Sequence, residues 1–357
     1  MRLESARGLK AQLLKEVVEP LAAGASRLGG GDVIPFAVGA RPLDTLPRIP
    51  RSLALGITRS EGEYKLAVRI QRPGLLQSPL MDQLTRRASG EVEVRMVGRI
   101  DKRAKTRRSP RGALAAGAAR AILPWYQQNT RPLLIGASVG HVDITAGTLG
   151  AFVTRGKATY LLSNNHVLAN EDRARAADWV LQRAAYDGGK QPSERVARLR
   201  FWIKLKKSGA NVVDAAIAEV EKHVPYDASR LRGLIDGLDR RLTGVASAPV
   251  DEGDAVFKIG RTTGPTAGRV TAFELDNVVV NYDSGNLRFD SQLEIEGTGR
   301  ASFSDGGDSG SLIVGADFKG VALLLAGGDS GGSNGLRLTY ANPLEHVLAN
   351  LKATLLF

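Results

Sequence analysis

The first apolar positions of the chain recur with the period of a helix. They stand at Leu9, Leu13, Leu14, Val17, Val18 and Leu21. Residues three and four apart share one helix face, so this spacing predicts an amphipathic helix with Gly24 as its stop. SLALGI and YKLAVRI then predict two strands joined by a turn at 60–63. Ser78 and Pro79 predict the start of a short helix, as N-cap and first helical residue.

The next segment, GEVEVRMVGRI, alternates apolar and charged residues. One face would carry Val92, Val94, Met96 and Ile100, and the other Glu91, Glu93, Arg95 and Arg99. This period of two predicts a single half-buried strand. Residues 1–98 are therefore expected to form a small α+β domain.

From about residue 131 short β-like runs alternate with glycine-rich turns. Examples are GTLGAFV, ATYLLSNNHV, RVARLRFWIKL, VVDAAIAEV, DAVFKIG, GRVTAFELDNVVVNY, LRFDSQLEIEG, GSLIVG, GVALLLAGG and LRLTYANP. Many short strands at this spacing predict an all-β sandwich or barrel. Asn342 as N-cap and Pro343 at the first helical position predict a closing helix over 343–355.

Composition narrows the class of protein. At roughly 150 residues per domain, 357 residues suggest about two domains, and 43% hydrophobic with 24% charged residues is ordinary for a folded chain. The absence of cysteine excludes disulfides, thiol catalysis and cysteine metal sites. There is no apolar run of about 18 residues, so no membrane span is expected. The N-terminus lacks the apolar core of a secretory signal, which favours a cytoplasmic protein.

The net charge of +12 is concentrated in two stretches, 99–111 and 193–207. The first lies in a basic, Ala/Gly-rich segment, 99–130, that we interpret as a linker. It is expected to be a solvated connector, with nucleic-acid or anionic-surface binding as the alternative. In the second, residues 197–206 predict a strand with one apolar and one basic face. Its basic side, 198–206, is either an exposed edge or a docking surface for an acidic partner, a subunit or a nucleic acid.

Serine chemistry is indicated at FSDGGDSGS, which runs into the apolar Leu312-Ile313-Val314. A serine nucleophile needs a base and amide donors for the oxyanion of its tetrahedral intermediate. Gly307, two residues before Ser309, permits a turn that directs both amides at one oxygen. We therefore interpret Ser309 as the nucleophile, and Gly307 and Ser309 as the oxyanion hole.

A base and an orienting carboxylate follow from two other motifs. His166 stands where the apolar run of YLLSNNHV ends, and Asp214 lies between Val-Val and Ala-Ala-Ile. A carboxylate with such flanks is expected to be partly buried, which is costly unless it pairs with a group such as a histidine ring.

Other histidines and aspartates remain as alternatives. His141, His223 and His346 are expected to be structural or surface residues. Asp143, Asp178 and Asp227 are alternative carboxylates, although none has the apolar flanks.

Together the motifs resemble a known family. The order His, Asp, Ser and the segments SNNHV, NVVDAAIA and GGDSGS resemble chymotrypsin-fold, trypsin-like serine proteases. The surrounding sequence is similar to cysteine-free bacterial trypsin-like peptidases and plant narrow-leaf proteases. The resemblance covers about 131–357 and implies a mainly β, chymotrypsin-like double β-barrel with the triad in the cleft between barrels. It implies a serine endopeptidase acting on proteins or peptides, and the plant relatives suggest a homo-oligomer.

The resemblance also implies a substrate pocket. Phe303, six residues before Ser309, would lie at its base, and Ala326 and Gly327 would form a wall. Phenylalanine offers no charge to a basic side chain, so cleavage after Lys or Arg is not expected. A second GDSG, at 328–331, lacks a following apolar strand, and Ser309 is preferred over Ser330 as the nucleophile.

Activation and cofactors complete the expectations. In many secreted family members a new N-terminus pairs with the aspartate before the serine, here Asp308. No Ile-Val-Gly-Gly begins the predicted barrel, so Asp308 should find another partner. The segment KIGRTTG lacks phosphate-loop spacing and predicts a strand and tight turn. No cofactor and no metal are expected, because no His/Asp/Glu cluster has ligand spacing.

Two other functions remain open beside an active endopeptidase. One is a latent or inactive protease-fold scaffold. The other is a protease activated by nucleic acid or by a partner that binds the basic stretches.

Overall fold

The computed structural model of the protein describes residues 1–19, 53–102, 123–144, 146–247 and 249–357. The expected stop at Gly24 and most of the basic stretch 99–111 lie outside this part. The described helices are α1 (Leu3–Leu13, continued by a π-helical turn Leu14–Val18), α2 (Pro79–Arg87), α3 (Asn165–Leu168) and α4 (Leu344–Leu351). Short 3-10 turns lie at Pro73–Leu75, Trp125–Gln127 and Ala185–Asp187.

Strands make up most of the described chain. Up to residue 220 they are β1 (Leu53–Ser60), β2 (Glu63–Ile70), β3 (Val92–Met96), β4 (Ile100–Asp101), β5 (Leu133–Leu134), β6 (Ser138–His141), β7 (Gly147–Thr148), β8 (Ala151–Arg155), β9 (Ala158–Ser163), β10 (Trp179–Leu181), β11 (Arg195–Trp202), β12 (Ala210–Asn211) and β13 (Ala216–Val220). The later strands are β14 (Tyr226–Asp227), β15 (Arg230–Ile235), β16 (Leu238–Arg241), β17 (Gly244–Val245), β18 (Ala255–Gly260), β19 (Gly264–Asp276), β20 (Val278–Tyr282), β21 (Gly285–Phe289), β22 (Gln292–Gly297), β23 (Leu312–Gly315), β24 (Lys319–Gly331), β25 (Arg337–Pro343) and β26 (Thr354–Leu355).

These strands form two curved sheets that confirm the expected double barrel. The first is a half-barrel in the order β26-β8-β9-β13-β11-β10-β6-β7. In the second, β18, β19, β22, β25, β24 and β23 pair in turn and close into a ring. Apolar side chains fill both, for example Leu161 and Ile217 in the first and Val270 and Ile295 in the second.

The N-terminal strands continue the sheet of the closed barrel. Strand β1 pairs antiparallel with β19, and β2 lies between β1 and β3. Fully buried Arg69 on β2 donates to both carboxylate oxygens of Glu294 on β22, at 2.8 and 2.9 Å. The small α+β unit is thus joined to the barrel by both backbone pairing and a buried ion pair.

The segment expected to be one strand, GEVEVRMVGRI, is divided into β3 and β4. Gly98 adopts φ +66°, a left-handed conformation that favours glycine, and a Cβ there would lie 3.1 Å from Cβ of Asp329. The bend changes the direction of the chain, and Val94 is 37% exposed rather than on a buried face. Beyond the bend, β4 lies between β20, which it pairs in parallel, and β24, which it pairs antiparallel.

The closing helix is shorter than expected. Helix α4 spans Leu344–Leu351, and Lys352 at φ +51° ends it before β26 returns to the half-barrel. Asn342 belongs to β25 and does not cap the helix. Its side chain is used in the site described next.

Candidate active site

His166 and Asp214 form a buried pair between the two barrels. Strand β9 ends at Ser163, and α3 begins two residues later, which turns His166 toward Asp214 at the start of β13. The His166 Nδ1 atom lies 2.6 Å from Asp214 Oδ2, and the His166 amide donates to Oδ1 at 3.3 Å. Asp214 is completely buried and His166 nearly so. The carboxylate therefore fixes the ring and leaves Nε2 facing away from it.

Three further residues hold Asp214, and none was assigned this role from the sequence. The hydroxyl of Tyr282 donates to Asp214 Oδ2. Asn342 Oδ1 accepts from the Asp214 amide at 3.0 Å, and Asn164 Nδ2 donates to the Asp214 carbonyl at 2.7 Å. Both asparagines lie in noted motifs, SNNHV and YANP, but Tyr282 lies 68 residues from Asp214 and gave no local signal.

The electrostatics of Asp214 favour its charged form. Burial alone would raise the pKa of Asp214, but the charge of His166 and the hydrogen bonds from His166 and Tyr282 outweigh it, and the pKa lies below its ordinary value. Burial, together with Asp214, holds the pKa of Tyr282 well above its ordinary value. Asp214 is thus a carboxylate that accepts from a neutral phenol.

The loop carrying Ser309 packs against the end of β9. The Ser309 carbonyl accepts from the Thr148 amide at 2.9 Å, and Ser311 Oγ donates to the Asp308 carbonyl at 2.6 Å. Gly310 has φ +86°, and a Cβ there would lie 2.0 Å from Ser163 Oγ. Because only glycine permits this approach, the nucleophile loop lies directly beside the strand that leads to His166.

The amides expected to form the oxyanion hole are free. Gly307 has φ +96°, and its carbonyl accepts from Thr148 Oγ1 at 3.0 Å. Among the described residues, the amides of Gly307 and Ser309 donate to no other group. Two unused amides on one turn are suited to bind a developing oxyanion.

Asp308 pairs with the KIGRTTG segment, which confirms that it finds another partner. Buried Lys258 lies 3.3 Å from Asp308 Oδ2, and the Thr262 amide donates to Oδ1 at 2.7 Å. Thr263 adds its amide and its hydroxyl. Burial lowers the pKa of Lys258, and the charge of Asp308 partly opposes this shift. The segment is a strand and turn, as expected, and it anchors the nucleophile loop.

Strand β4 and the residue after it occupy the cleft beside Ser309. The Ser309 hydroxyl donates to the Lys102 carbonyl at 3.0 Å. His166 Nε2 is buried, and no partner for it exists among the described residues. The structure therefore joins His166 to Asp214, whereas the Ser309 hydroxyl is bonded to the N-terminal segment and not to the histidine.

A small cavity lies next to Ser309, where a substrate pocket is expected. Its lining includes Ala326 and Gly327, as expected, together with Ser304, Asp305, Leu324 and Arg337. Arg337 donates to Asp305 at 3.1 Å. Phe303 lies elsewhere: it is fully buried in the core of the closed barrel, 5.5 Å from Lys258 Nζ. The lining of the cavity thus combines polar side chains with the apolar Leu324 and Ala326.

The alternative residues have other partners. Ser330 Oγ donates to the carbonyl of Met96, the last residue of β3, at 3.3 Å. His141 uses both ring nitrogens, since Nε2 lies 3.1 Å from Asp178 and Nδ1 accepts from the Asp143 amide. Asp227 accepts from the Ser229 and Arg230 amides in a turn.

The basic strand β11 is largely neutralised within the protein. Arg198 pairs with Glu221 at 3.1 Å, and Arg200 pairs with Glu219 at 2.7 Å. The guanidinium of Arg198 also lies 3.6 Å from the ring centre of Trp179. Docking of an acidic partner or nucleic acid at 198–206 stays a prediction, as does binding at 99–111.

Neither a metal-binding cluster nor a membrane-spanning helix is found in the described ranges. They contain no group of three or more His, Asp or Glu side chains placed to hold a metal ion. None of their helices is long and apolar enough to cross a membrane.

Comparison with known proteins gives a likeness of fold. No family model and no curated protein matches the sequence. Among solved structures, Thermobifida fusca Protease A is 15% identical with TM-score 0.44, covering 62% of this chain and 97% of that one. A glutamic acid specific serine protease is 22% identical with TM-score 0.45, covering 63% and 100%. An alpha-lytic protease homolog, N4, is 23% identical with TM-score 0.43, covering 62% and 99%.

Proposed function

We propose that the protein is a serine endopeptidase that hydrolyses peptide bonds through His166, Asp214 and Ser309. The observation that carries the proposal is the buried pair of His166 and Asp214, which leaves Nε2 of the ring without a partner in the described part of the chain. A fixed ring with one unused nitrogen is the arrangement that a serine nucleophile requires of its base.

The chemistry follows from these positions. His166 Nε2 takes the Ser309 proton as Oγ attacks the scissile carbonyl, and Asp214 stabilises the imidazolium that forms. The Gly307 and Ser309 amides bind the oxyanion. The imidazolium then protonates the leaving amine, and water releases the acyl group by the same steps.

A latent form of this enzyme is favoured by one contact. Because the Ser309 hydroxyl donates to the Lys102 carbonyl, it is held by the N-terminal segment. In the proposed cycle this hydrogen bond breaks before Oγ reaches His166. The described conformation therefore corresponds to a resting enzyme.

Labelling with a fluorophosphonate probe tests the proposal, because the probe reacts only with an activated serine. Wild type should be labelled, slowly if the cleft stays occupied, and Ser309→Ala and His166→Ala should not. Ser330→Ala should match wild type. Labelling of Ser309→Ala would refute the proposed endopeptidase. Failure of the probe to label both folded wild type and folded Lys102→Ala would refute it as well.

Several wider features stay proposals beside this one. The substrate is proposed to be a protein or peptide, and the enzyme a cytoplasmic homo-oligomer without a cofactor. Peptide digestion tests the substrate class, and gel filtration of the full chain tests the oligomeric state.

A further inference from the structure

Strand β4 lies in the cleft as a bound peptide would lie. Ile100 is opposite Gly328 and Asp101 opposite Gly327 on β24, the strand that supplies the wall of the cavity beside Ser309. The other edge of β4 pairs with Val280 and Asn281 on β20. An extended segment with both edges paired shows that the cleft accepts a single strand, with its next carbonyl at the nucleophile.

Lys102, whose carbonyl accepts from Ser309, has a buried ammonium group with acidic and aromatic neighbours. Lys102 is 4% exposed. Its ammonium forms an ion pair with Glu171 and lies 3.1 Å from Asp283 Oδ2. It also lies 5.6 Å from the ring centre of Tyr282. A buried ammonium is thus balanced by two carboxylates and the face of an aromatic ring.

Glu171 is held in place by the backbone. Its two carboxylate oxygens accept from the amides of Asp283 and Ser284, at 3.2 and 3.0 Å, and its side chain is 1% exposed. Arg173 also faces the pair, 3.9 Å from Glu171 and 3.5 Å from Asp283, but its side chain is half-exposed. A buried carboxylate fixed by amides is organised to receive a cation before the cation arrives.

The acidic pair belongs to the proposed catalytic cleft. The ring of Tyr282 stands edge-on to His166, with centres 5.8 Å apart, while its hydroxyl donates to Asp214. The same ring lies beside the Lys102 ammonium. The Nε2 atom of His166 is buried and has no partner in the described part of the chain. His166, with one unused nitrogen, and the Lys102 ammonium thus lie beside the same tyrosine ring, where we expect a reacting peptide to bind.

We propose that Glu171 and Asp283 form a subsite for a lysine or arginine side chain of a peptide substrate, and that Lys102 of the same chain fills it in this structure. The proposal rests on the proposed endopeptidase function and adds a substrate class. It replaces the expectation, drawn from Phe303, that basic residues are disfavoured, because Phe303 lies in the core and away from the cavity.

Peptide binding to an inactive protein tests the subsite without catalysis. The host is Ser309→Ala with Lys102→Met, which weakens the internal occupant. The probes are fluorescein-labelled VGRIDK, the sequence of residues 97–102, and the same peptide with norleucine for lysine. Norleucine keeps the carbon chain and lacks the ammonium. Fluorescence anisotropy should show that the lysine peptide binds at least about tenfold more tightly.

Substitutions in the acidic pair should remove that preference. In Glu171→Gln and Asp283→Asn hosts, the lysine peptide should bind about as weakly as the norleucine peptide. The norleucine affinity should stay unchanged, which also shows that the cleft is intact. Glu219→Gln, a carboxylate paired with Arg200 on the outer surface, is the matched control and should keep the preference. Equal affinity of the two peptides for the parent host, or a preference that survives Glu171→Gln, would overturn the subsite.

The same variants separate this inference from the proposed function. If wild type and Lys102→Met are never labelled by a fluorophosphonate but the lysine preference is present, the endopeptidase fails and the subsite stands. If labelling occurs and the preference is absent, the subsite fails and the endopeptidase stands. With active protein, the ratio of kcat/KM for lysine and norleucine substrates should fall in Glu171→Gln and stay constant in Lys102→Met.

Discussion

Asp214 illustrates how single residues support the proposed chemistry. Its carboxylate receives three hydrogen bonds, from the His166 ring, the His166 amide and Tyr282, while its own amide and carbonyl are held by Asn342 and Asn164. These contacts prevent rotation of the carboxylate. The tautomer of His166 with its proton on Nδ1 is therefore favoured.

Replacing the Asp214 carboxylate should greatly reduce activity while leaving the structure of the site nearly unchanged. Asp214→Asn is nearly isosteric but favours the wrong tautomer of His166. We expect the second-order rate of fluorophosphonate labelling to fall by about 10³–10⁴, the magnitude found for such triads. Asp178→Asn, which touches His141 and not His166, is the control and should label at the parent rate. A loss of less than tenfold in Asp214→Asn would contradict the assigned role.

The lowered pKa of Asp214 also predicts an acid dependence of stability. A carboxylate with a folded-state pKa below its unfolded value of about 3.8 stabilises the fold fully above that pH. The contribution is lost as the pH falls through the folded-state pKa. The unfolding free energy of wild type should thus fall relative to that of Asp214→Asn as the pH decreases below about 3.8. Urea unfolding of both proteins at each pH measures this, and a wild type that gains stability relative to Asp214→Asn toward acid would refute the shift.

The proposed catalytic residues were selected from motifs of residues close together in sequence. The motifs around His166, Asp214 and Ser309 were sufficient to select them, because each combines a reactive side chain with an apolar strand or a glycine turn. Tyr282, Glu171 and Lys102 were not, since each acquires its role through contacts with distant segments. Phe303 was expected at the base of the substrate pocket because it lies six residues before Ser309, but its ring packs in the core of the closed barrel.

At the scale of elements, the bend between β3 and β4 decides what enters the cleft. Gly98 at φ +66° lets the chain leave β3 and place Ile100 and Lys102 beside β24. Its amide neighbours are fixed as well, since Val97 donates to the Ile70 carbonyl. The occupancy of the cleft thus depends on one backbone conformation.

Gly98→Ala should loosen this occupancy. A Cβ at this position is strained by about 1–2 kcal/mol in the left-handed region and approaches Asp329. We expect faster fluorophosphonate labelling than in wild type, because β4 leaves the cleft more often. Gly90→Ala is the matched control: it has φ +79° and open space around the new Cβ. It should cost similar stability without changing the labelling rate, and equal acceleration in both variants would contradict the argument.

Alternation of residues predicted most strands, but it did not show the break at Gly98. Met96 before the bend and Ile100 after it keep the same period-two pattern, so the sequence there supports one strand as well as two. The break becomes visible only when Asp329 and the edge of β24 are in place. The final helix is shorter than expected because Lys352, at φ +51°, ends it and Thr354 and Leu355 pair with β8.

At the scale of the whole molecule, the N-terminal unit and the closed barrel share one sheet. The pairing of β1 with β19 and the buried Arg69–Glu294 ion pair cross between them. Tyr340 adds a hydrogen bond to Glu294 at 3.2 Å. Division of the chain at residue 98 stays a prediction, but the contacts indicate that the two parts unfold together.

Arg69→Met tests this coupling. It leaves the Glu294 carboxylate buried without its cation, which should destabilise the protein by about 3–5 kcal/mol. We expect one cooperative transition in urea, shifted to lower concentration, with α1–β3 and barrel probes changing together. Arg230→Met, whose exposed pair with Asp239 is worth at most about 1 kcal/mol, is the control. Two separated transitions in the wild type would show that the N-terminal unit folds independently.

Strand β4 belongs to the same chain as the cleft that it occupies, so an external peptide competes with a tethered ligand. A tethered ligand acts at an effective concentration on the order of millimolar, whatever the concentration of the protein. If the cleft is free in about one molecule in a hundred, every external peptide binds about a hundredfold more weakly than the open cleft would allow. The apparent KM of the full chain would then measure how firmly Ile100–Lys102 is seated. A partner that draws this strand away would raise the affinity for all peptides by one common factor.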